Sequence, residues 1–260
     1  MKIYLSGITS QIWYLWNNRW KYWLVAFPEA QNSKHINEIL HFCDDLFLDS
    51  WWYSIRVRWL DLSVKDYVKF VNKYASYFTA ITNMDTNDVK ETLENQRILE
   101  QETWKTIIPV YHISDLLSWN IKLLDEYCEK YDYIWLWWVA WKRIKPKELM
   151  KYFSFIFHKA IQTKTKIHWF WITADSLIKM FPFYSVDSTS RLQWQKFNQF
   201  VQFRNGQRYK YSAWEYRQKF WLDPAKNPHS WKIWESKKQR EKYNDYITKL
   251  HQVKWMEYRL

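Results

Sequence analysis

The sequence predicts an α/β fold, a (β/α)8 barrel, on three observations. Eight short apolar runs recur along the chain, amphipathic stretches of helical period lie between them, and 260 residues is a length that one such barrel fills. The first candidate strand is Lys2 to Gly7, and a long connection leads to the second, Asp45 to Ser50. Tyr77 to Thr82, Thr106 to His112, Tyr133 to Trp138, Lys166 to Trp171, Tyr184 to Ser188 and Gln199 to Phe203 complete the set. Between the second and third runs, Val64, Tyr67, Val68 and Val71 recur at helical spacing behind Ser63, whose hydroxyl suits an N-cap. Asn87 to Gln101, Leu116 to Glu129 and Pro146 to Ile161 read as helices too, the last with proline at its start. The later connections are short. These elements define a barrel domain over residues 1–206.

After Gly206 the composition turns charged and aromatic, with Asp223-Pro224 and Asn227-Pro228 as turn signals. Residues 207–260 are therefore expected to form a basic, mostly helical C-terminal extension. Its helix should run from about Ser236 to Val253 and carry Lys237, Lys238, Arg240 and Lys242. Two readings stay open for it: a solvated helix packed on the barrel, or a nucleic-acid contact.

Glycine and tryptophan are inverted. The chain holds 21 Trp and 2 Gly, whereas ordinary usage gives about 7% Gly, roughly 18 residues at this length. The tryptophans stand at strand-to-loop junctions, in Leu48-Asp49-Ser50-Trp51-Trp52-Tyr53 and in Tyr133-Ile134-Trp135-Leu136-Trp137-Trp138-Val139-Ala140-Trp141. Such junctions need positive φ or close backbone approach, which glycine supplies. Most of these Trp therefore read as glycines of a gene in which UGA means Gly, translated here as Trp. The richness in Lys, Ile, Tyr and Asn fits the AT-rich genome that such a code implies.

The formal net charge of +12 favours a polyanionic partner, because neutralising phosphates releases condensed counterions. Cys43 and Cys128 form no close motif, which suits a reducing compartment and makes neither a metal ligand. No window holds 18 uninterrupted apolar residues, and the N-terminal stretch lacks a signal-peptide pattern. A soluble, cytoplasmic protein without membrane contact is expected.

In a parallel barrel the chemistry sits at the carboxyl ends of the strands. Those ends carry Asp49-Ser50, Asn83-Met84-Asp85, His112, His168 and Asp187-Ser188. A single strand-end Asp is commonly a helix cap or turn former. Two of them beside small-residue loops point to a site, because close carboxylates drive each other's pKa apart and divide nucleophile and acid/base roles. His112 and His168 either line the pocket or are satisfied core residues.

With glycine restored, Asp49-Ser50-Trp51-Trp52-Tyr53 becomes Asp-Ser-Gly-Gly-Tyr, and Trp137-Trp138-Val139-Ala140-Trp141 becomes Gly-Gly-Val-Ala-Gly. His168-Trp169-Phe170-Trp171-Ile172-Thr173 becomes His-Gly-Phe-Gly-Ile-Thr, and Asp187 is followed by Ser188-Thr189-Ser190-Arg191. Over residues 45–191 the order and spacing of these four motifs resemble the tRNA-guanine transglycosylase family, the enzymes of queuosine and archaeosine formation. The second motif is one residue shorter than the family's loop. The resemblance implies a base exchange in which an aspartate attacks the anomeric carbon, guanine leaves and a 7-deazaguanine replaces it.

On that resemblance Asp187 matches the nucleophile, and Asp49 the second aspartate, which contacts the heterocycle and shuttles its proton. Asp85 falls near the family's third, base-recognising Asp. Ser50, Trp51, Trp52, Tyr53, His112, Trp137, Trp138, Val139 and His168 would line the base pocket, with backbone groups around Trp138 and Val139 facing the base edge. Arg56, Arg58, Lys142, Arg143 and Arg191 are candidate phosphate contacts, each alternatively a solvated surface charge. The family's zinc-binding Cys-x-Cys-x-x-Cys cluster is missing, so neither structural zinc nor any other cofactor is expected. The short chain is more similar to a compact, phage-associated or deazaguanine-DNA branch, which favours DNA over tRNA as the polymer. Two alternatives remain: a catalytically silent barrel that binds nucleic acid, and an N-glycosidase that releases the base to water.

Overall fold

The computed structural model describes residues 1–7, 9, 22–51, 55, 60–113, 121–137, 146–170, 175–188, 199–205 and 207–212, with positions 214, 215, 218, 242, 245–247, 249 and 250. Eight of its strands join in one all-parallel sheet: β1 (Lys2–Leu5), β2 (Tyr22–Ala26), β3 (Asp45–Asp49), β4 (Ala80–Ile81), β5 (Val110–His112), β6 (Tyr133–Trp137), β7 (Lys166–Trp169) and β8 (Ser185–Ser188). Their order, β4-β3-β2-β1-β8-β7-β6-β5, is a ring of consecutive strands opened between β4 and β5.

The sheet is strongly curled. Phe47 on β3 and Trp135 on β6 lie five strand positions apart, about 24 Å across a flat sheet, yet their rings stack with centroids 5.2 Å apart. The end strands approach each other as well. Thr82, just after β4, forms an isolated parallel bridge with Ile108, just before β5, through Asn83 N to Ile108 O at 2.9 Å and Ile108 N to Ile81 O at 2.8 Å.

Helices follow the strands as the apolar periodicity requires. They are α1 (Phe27–Gln31), α2 (Ile36–Phe42), α3 (Val64–Tyr74), α4 (Val89–Thr103), α5 (Ile121–Lys130), α6 (Pro146–Thr163) and α7 (Asp175–Met180). Helix α3 starts where the Ser63 signal places it: the Ser63 hydroxyl accepts from Asp66 N, and the Asp66 carboxylate accepts from Ser63 N, a reciprocal capping box. Asp88 caps α4 with a single bond, its carboxylate accepting from Glu91 N at 2.9 Å. At its other end α4 stops on Trp104, whose left-handed backbone (φ 55°, ψ 30°) lets its N–H reach Glu100 O.

Helices pack on the outer side of the sheet, in clusters centred on Leu46, Leu48, Tyr67 and Val71 and on Ile134, Leu136, Phe153 and Ile167. Tyr4, Leu24, Phe47, Trp135 and Phe170 fill the concave side. Burying each such side chain contributes on the order of 2 kcal/mol, so the curled sheet is held from both faces. Ile247, on a helical stretch of the C-terminal region, is fully buried in the second outer cluster.

Two strand assignments are corrected. Tyr22–Ala26 belongs to the sheet as its second strand, so Asp45–Asp49 is the third. The run Tyr-Trp-Leu-Val-Ala shows no alternation because both faces are buried, and it runs straight into the Pro28 helix start, so it reads as part of a connection. Gln199 to Phe203 lies outside the parallel sheet. It forms β9 (Gln199–Arg204), which pairs antiparallel with β10 (Gln207–Ser212) through a turn where Asn205 has φ 47°. The Asn205-Gly206 dipeptide is a hairpin signal, and the hairpin spans the boundary drawn at residue 206.

Candidate active site

Alternation along each strand decides which side chains meet inside the curl. On β3, Asp45, Phe47 and Asp49 share the concave face, one aspartate at each end. Asp45, at the amino end, is fully hydrogen-bonded: Lys2 Nζ donates to Oδ2 at 2.7 Å, and Tyr4 Oη and Thr79 Oγ1 donate to Oδ1 at 2.8 and 2.6 Å. It ties β1, β3 and the segment before β4 together as a floor.

Asp49, at the carboxyl end, has a different environment. Its Oδ1 accepts Trp51 N at 3.1 Å, and the side chain is buried. Burial raises its carboxyl well above the usual range, and the negative charges of Asp85, Asp187 and Glu29 add to that rise, against the Trp51 hydrogen bond. Asp49 therefore holds its proton where an ordinary carboxylate has lost it. The four acids sit on or just after β2, β3, β4 and β8.

Asp187 lies in β8, paired with Tyr4 of β1, and is fully buried. Its Oδ1 is 3.7 Å from Nε2 of His168 on β7. Beyond it, Asp85 Oδ2 and His112 Nε2 make a half-buried pair at 2.8 Å, bringing the segment after β4 to the end of β5. Trp137 ends β6, half-buried against Phe170.

Three buried polar atoms at the carboxyl ends of β1, β3 and β4, the Ser6 Oγ, Ser50 Oγ and Asn83 Oδ1, have no hydrogen-bond partner among the described residues. Leaving such an atom unsatisfied costs about 1–3 kcal/mol. A polar ligand at this end of the sheet would satisfy them. Ser50 itself is anchored by its backbone N–H, which donates to Thr82 Oγ1 at 3.1 Å.

Backbone conformation bears on the tryptophan inversion. Among the described residues four that are not glycine have positive φ, and two of these are Trp51 (49°) and Trp104 (55°). A bulky residue in the left-handed region is an outlier, because Cβ meets the following carbonyl. Trp51 adopts this turn two residues after Asp49, and its N–H closes the hydrogen bond back to that carboxylate. That is a glycine conformation at the first residue of the restored Gly-Gly pair.

Trp52, Tyr53, Arg56, Arg58, Trp138, Val139, Lys142, Arg143 and Arg191 lie outside the described residues. By alternation Asp49, His112, Trp137 and His168 share the concave face of β3, β5, β6 and β7, Asp187 faces His168 from β8, and Ser50, Trp51 and Asp85 follow the ends of β3 and β4. Sequence reasoning missed Glu29, because it missed the strand that delivers it, and missed Ser185 and Tyr133. Strand alternation would have found the last two: Ser185 precedes Asp187 by two residues, and Tyr133 precedes Trp135 by two.

Among the described residues no group of three His, Cys, Asp or Glu is placed to hold a metal ion, and no helix is long and apolar enough to cross a membrane. No family model, curated protein or solved structure matches the chain.

Proposed function

We propose that this chain is a base-exchange transglycosylase that replaces guanine in a nucleic acid with a 7-deazaguanine, working in the cytoplasm from the mouth of a (β/α)8 barrel. The observation that carries the reading is the position of Asp49 and Asp187, both buried at the carboxyl ends of β3 and β8, with the Asp85–His112 pair following β4 at the same end of the sheet. One of these acids is kept protonated while another lies within reach of a histidine, a division that suits acid and nucleophile roles.

In this mechanism an Asp187 oxygen bonds to C1′ as the C1′–N9 bond breaks, and the electron pair leaves on guanine. Asp49 gives its proton to the departing base. The deprotonated Asp49 then takes a proton from the incoming 7-deazaguanine, whose nitrogen attacks C1′ and expels Asp187, with net retention at the sugar. Asp85, paired with His112, would accept from base N–H groups, and the backbone after Asp49 would approach the ring. The base must leave its stack to enter, so an extruded or single-stranded nucleotide is the substrate. The net charge of +12 supports a polyanionic polymer, DNA ahead of tRNA, gripped by Arg56, Arg58, Lys142, Arg143 and Arg191.

The test is incorporation of labelled guanine into separate DNA and tRNA pools, with the chain made in both decodings of UGA. Label entering one polymer, with activity greater in the glycine decoding, is the expected result. Binding without exchange in either decoding would show a silent nucleic-acid binder, and free base without incorporation a hydrolase; each overturns the transglycosylase reading.

A further inference from the structure

Behind Asp187 lies a chain of buried polar groups that the exchange mechanism does not yet use. His168 is fully buried between strands, its ring stacked on Trp135 at 4.1 Å, with Phe47, Tyr4 and Phe170 around it. Its Nδ1 lies 2.6 Å from Ser185 Oγ, and that oxygen lies 2.5 Å from Tyr133 Oη. Its other nitrogen faces Asp187 Oδ1 at 3.7 Å. The four groups alternate onto one face of β6, β7 and β8 and form a line that ends on the proposed nucleophile.

With a neutral imidazole, only one proton arrangement keeps a lone pair from facing the Asp187 carboxylate. Nε2 carries the hydrogen and points it at Asp187; Nδ1 is then the acceptor, so the Ser185 hydroxyl donates to it and accepts in turn from the Tyr133 hydroxyl. Burial favours neutral forms at both ends. It pushes the His168 imidazolium pKa down, against the pull of Asp187, and holds the Tyr133 phenol well above its ordinary value, where it remains a donor. Resting on the transglycosylase reading, we propose that Tyr133, Ser185 and His168 form a positioning relay that fixes the Nε2–H tautomer of His168. The donor it presents holds Asp187 Oδ1 and assigns Oδ2 as the oxygen that attacks C1′. The 3.7 Å separation is a pre-reaction distance that closes to a hydrogen bond as the nucleotide seats, as such contacts tighten on substrate binding.

The test pairs a spectroscopic readout with a kinetic one. In the full chain, ¹⁵N shifts of His168 should show a neutral ring protonated at Nε2 at pH 7. Ser185→Ala should mix the two tautomers, and Tyr133→Phe should weaken the preference. In the exchange assay, His168→Leu should lower kcat about ten- to hundredfold, the range for losing a hydrogen bond to a charged group. KM should stay within about twofold. His168→Gln, which keeps an N–H near the Nε2 position, should recover most of the loss. An Nδ1–H tautomer or an imidazolium at pH 7 overturns the relay, as does a His168→Leu chain with unaltered kcat. Absence of exchange in every chain, with the Nε2–H tautomer intact, supports the relay and overturns the transglycosylase reading instead.

Discussion

Replacing Trp104 by glycine should stabilise the protein, and the size of the gain follows from the structure. Trp104 closes helix α4 with φ 55° and ψ 30°, and its side chain is 90% exposed. Removing the indole therefore forfeits almost no buried area. The left-handed backbone costs a residue with a Cβ about 1–2 kcal/mol, which glycine avoids. Glycine gives back about 0.4–1 kcal/mol through the greater freedom of its unfolded chain. The balance is a gain of about 1 kcal/mol, or roughly 2–4 °C in Tm for a domain of this size. Urea and thermal unfolding of Trp104→Gly beside the unaltered chain measure it, with Trp104→Ala as control. Alanine also removes the indole but keeps the Cβ, so it should gain nothing. A Trp104→Gly chain no more stable than Trp104→Ala would refute the claim that this position is built for glycine. The same substitution at Trp51 adds a functional readout, because the turn there sets the hydrogen bond to Asp49.

Asp49 makes stability depend on pH. Its folded pKa lies above its unfolded value, so between the two the folded state binds more protons, and stability must fall as pH rises through that window. Asp49→Asn removes this dependence: the slope of unfolding free energy against pH above about pH 4 should flatten in urea titrations, and the variant should equal or exceed the parent in stability at neutral pH. Asp45, in contrast, is a structural carboxylate. Asp45→Ala strips Lys2, Tyr4 and Thr79 of their shared acceptor and should cost about 3 kcal/mol in chemical unfolding. Asp187→Asn should abolish exchange while leaving the far-UV circular dichroism and the unfolding midpoint near those of the parent.

Much of the sheet was legible because doubly buried parallel strands leave unbroken apolar runs bounded by polar turns, as in Asp45–Asp49 and Tyr133–Trp137. Tyr22–Ala26 carries the same kind of run but passes into Phe27 and Pro28 with no polar break, so the boundary that reveals a strand is missing. Gln199 to Phe203 misled in the opposite way. Its Gln-Phe-Val-Gln-Phe pattern has no clean period, and the Asn205-Gly206 turn signal that follows Arg204 is what marks it as half of an antiparallel hairpin. In the site, Asp49, Asp85, His112 and Asp187 could be picked out because each ends or follows an apolar run. Alternation puts Ser185 and Tyr133 on the same face as Asp187 and Trp135, but their role shows only once a partner on the neighbouring strand faces them.

Trapping the covalent intermediate decides whether Asp187 is the nucleophile. The chain, in its glycine decoding, is incubated with a guanine-containing oligonucleotide, quenched in denaturant, digested and analysed by mass spectrometry. A sugar-linked adduct is expected on the peptide carrying Asp187, formed with release of one guanine and absent from Asp187→Asn. An adduct on any other residue, or guanine release that persists in Asp187→Asn, would contradict that assignment.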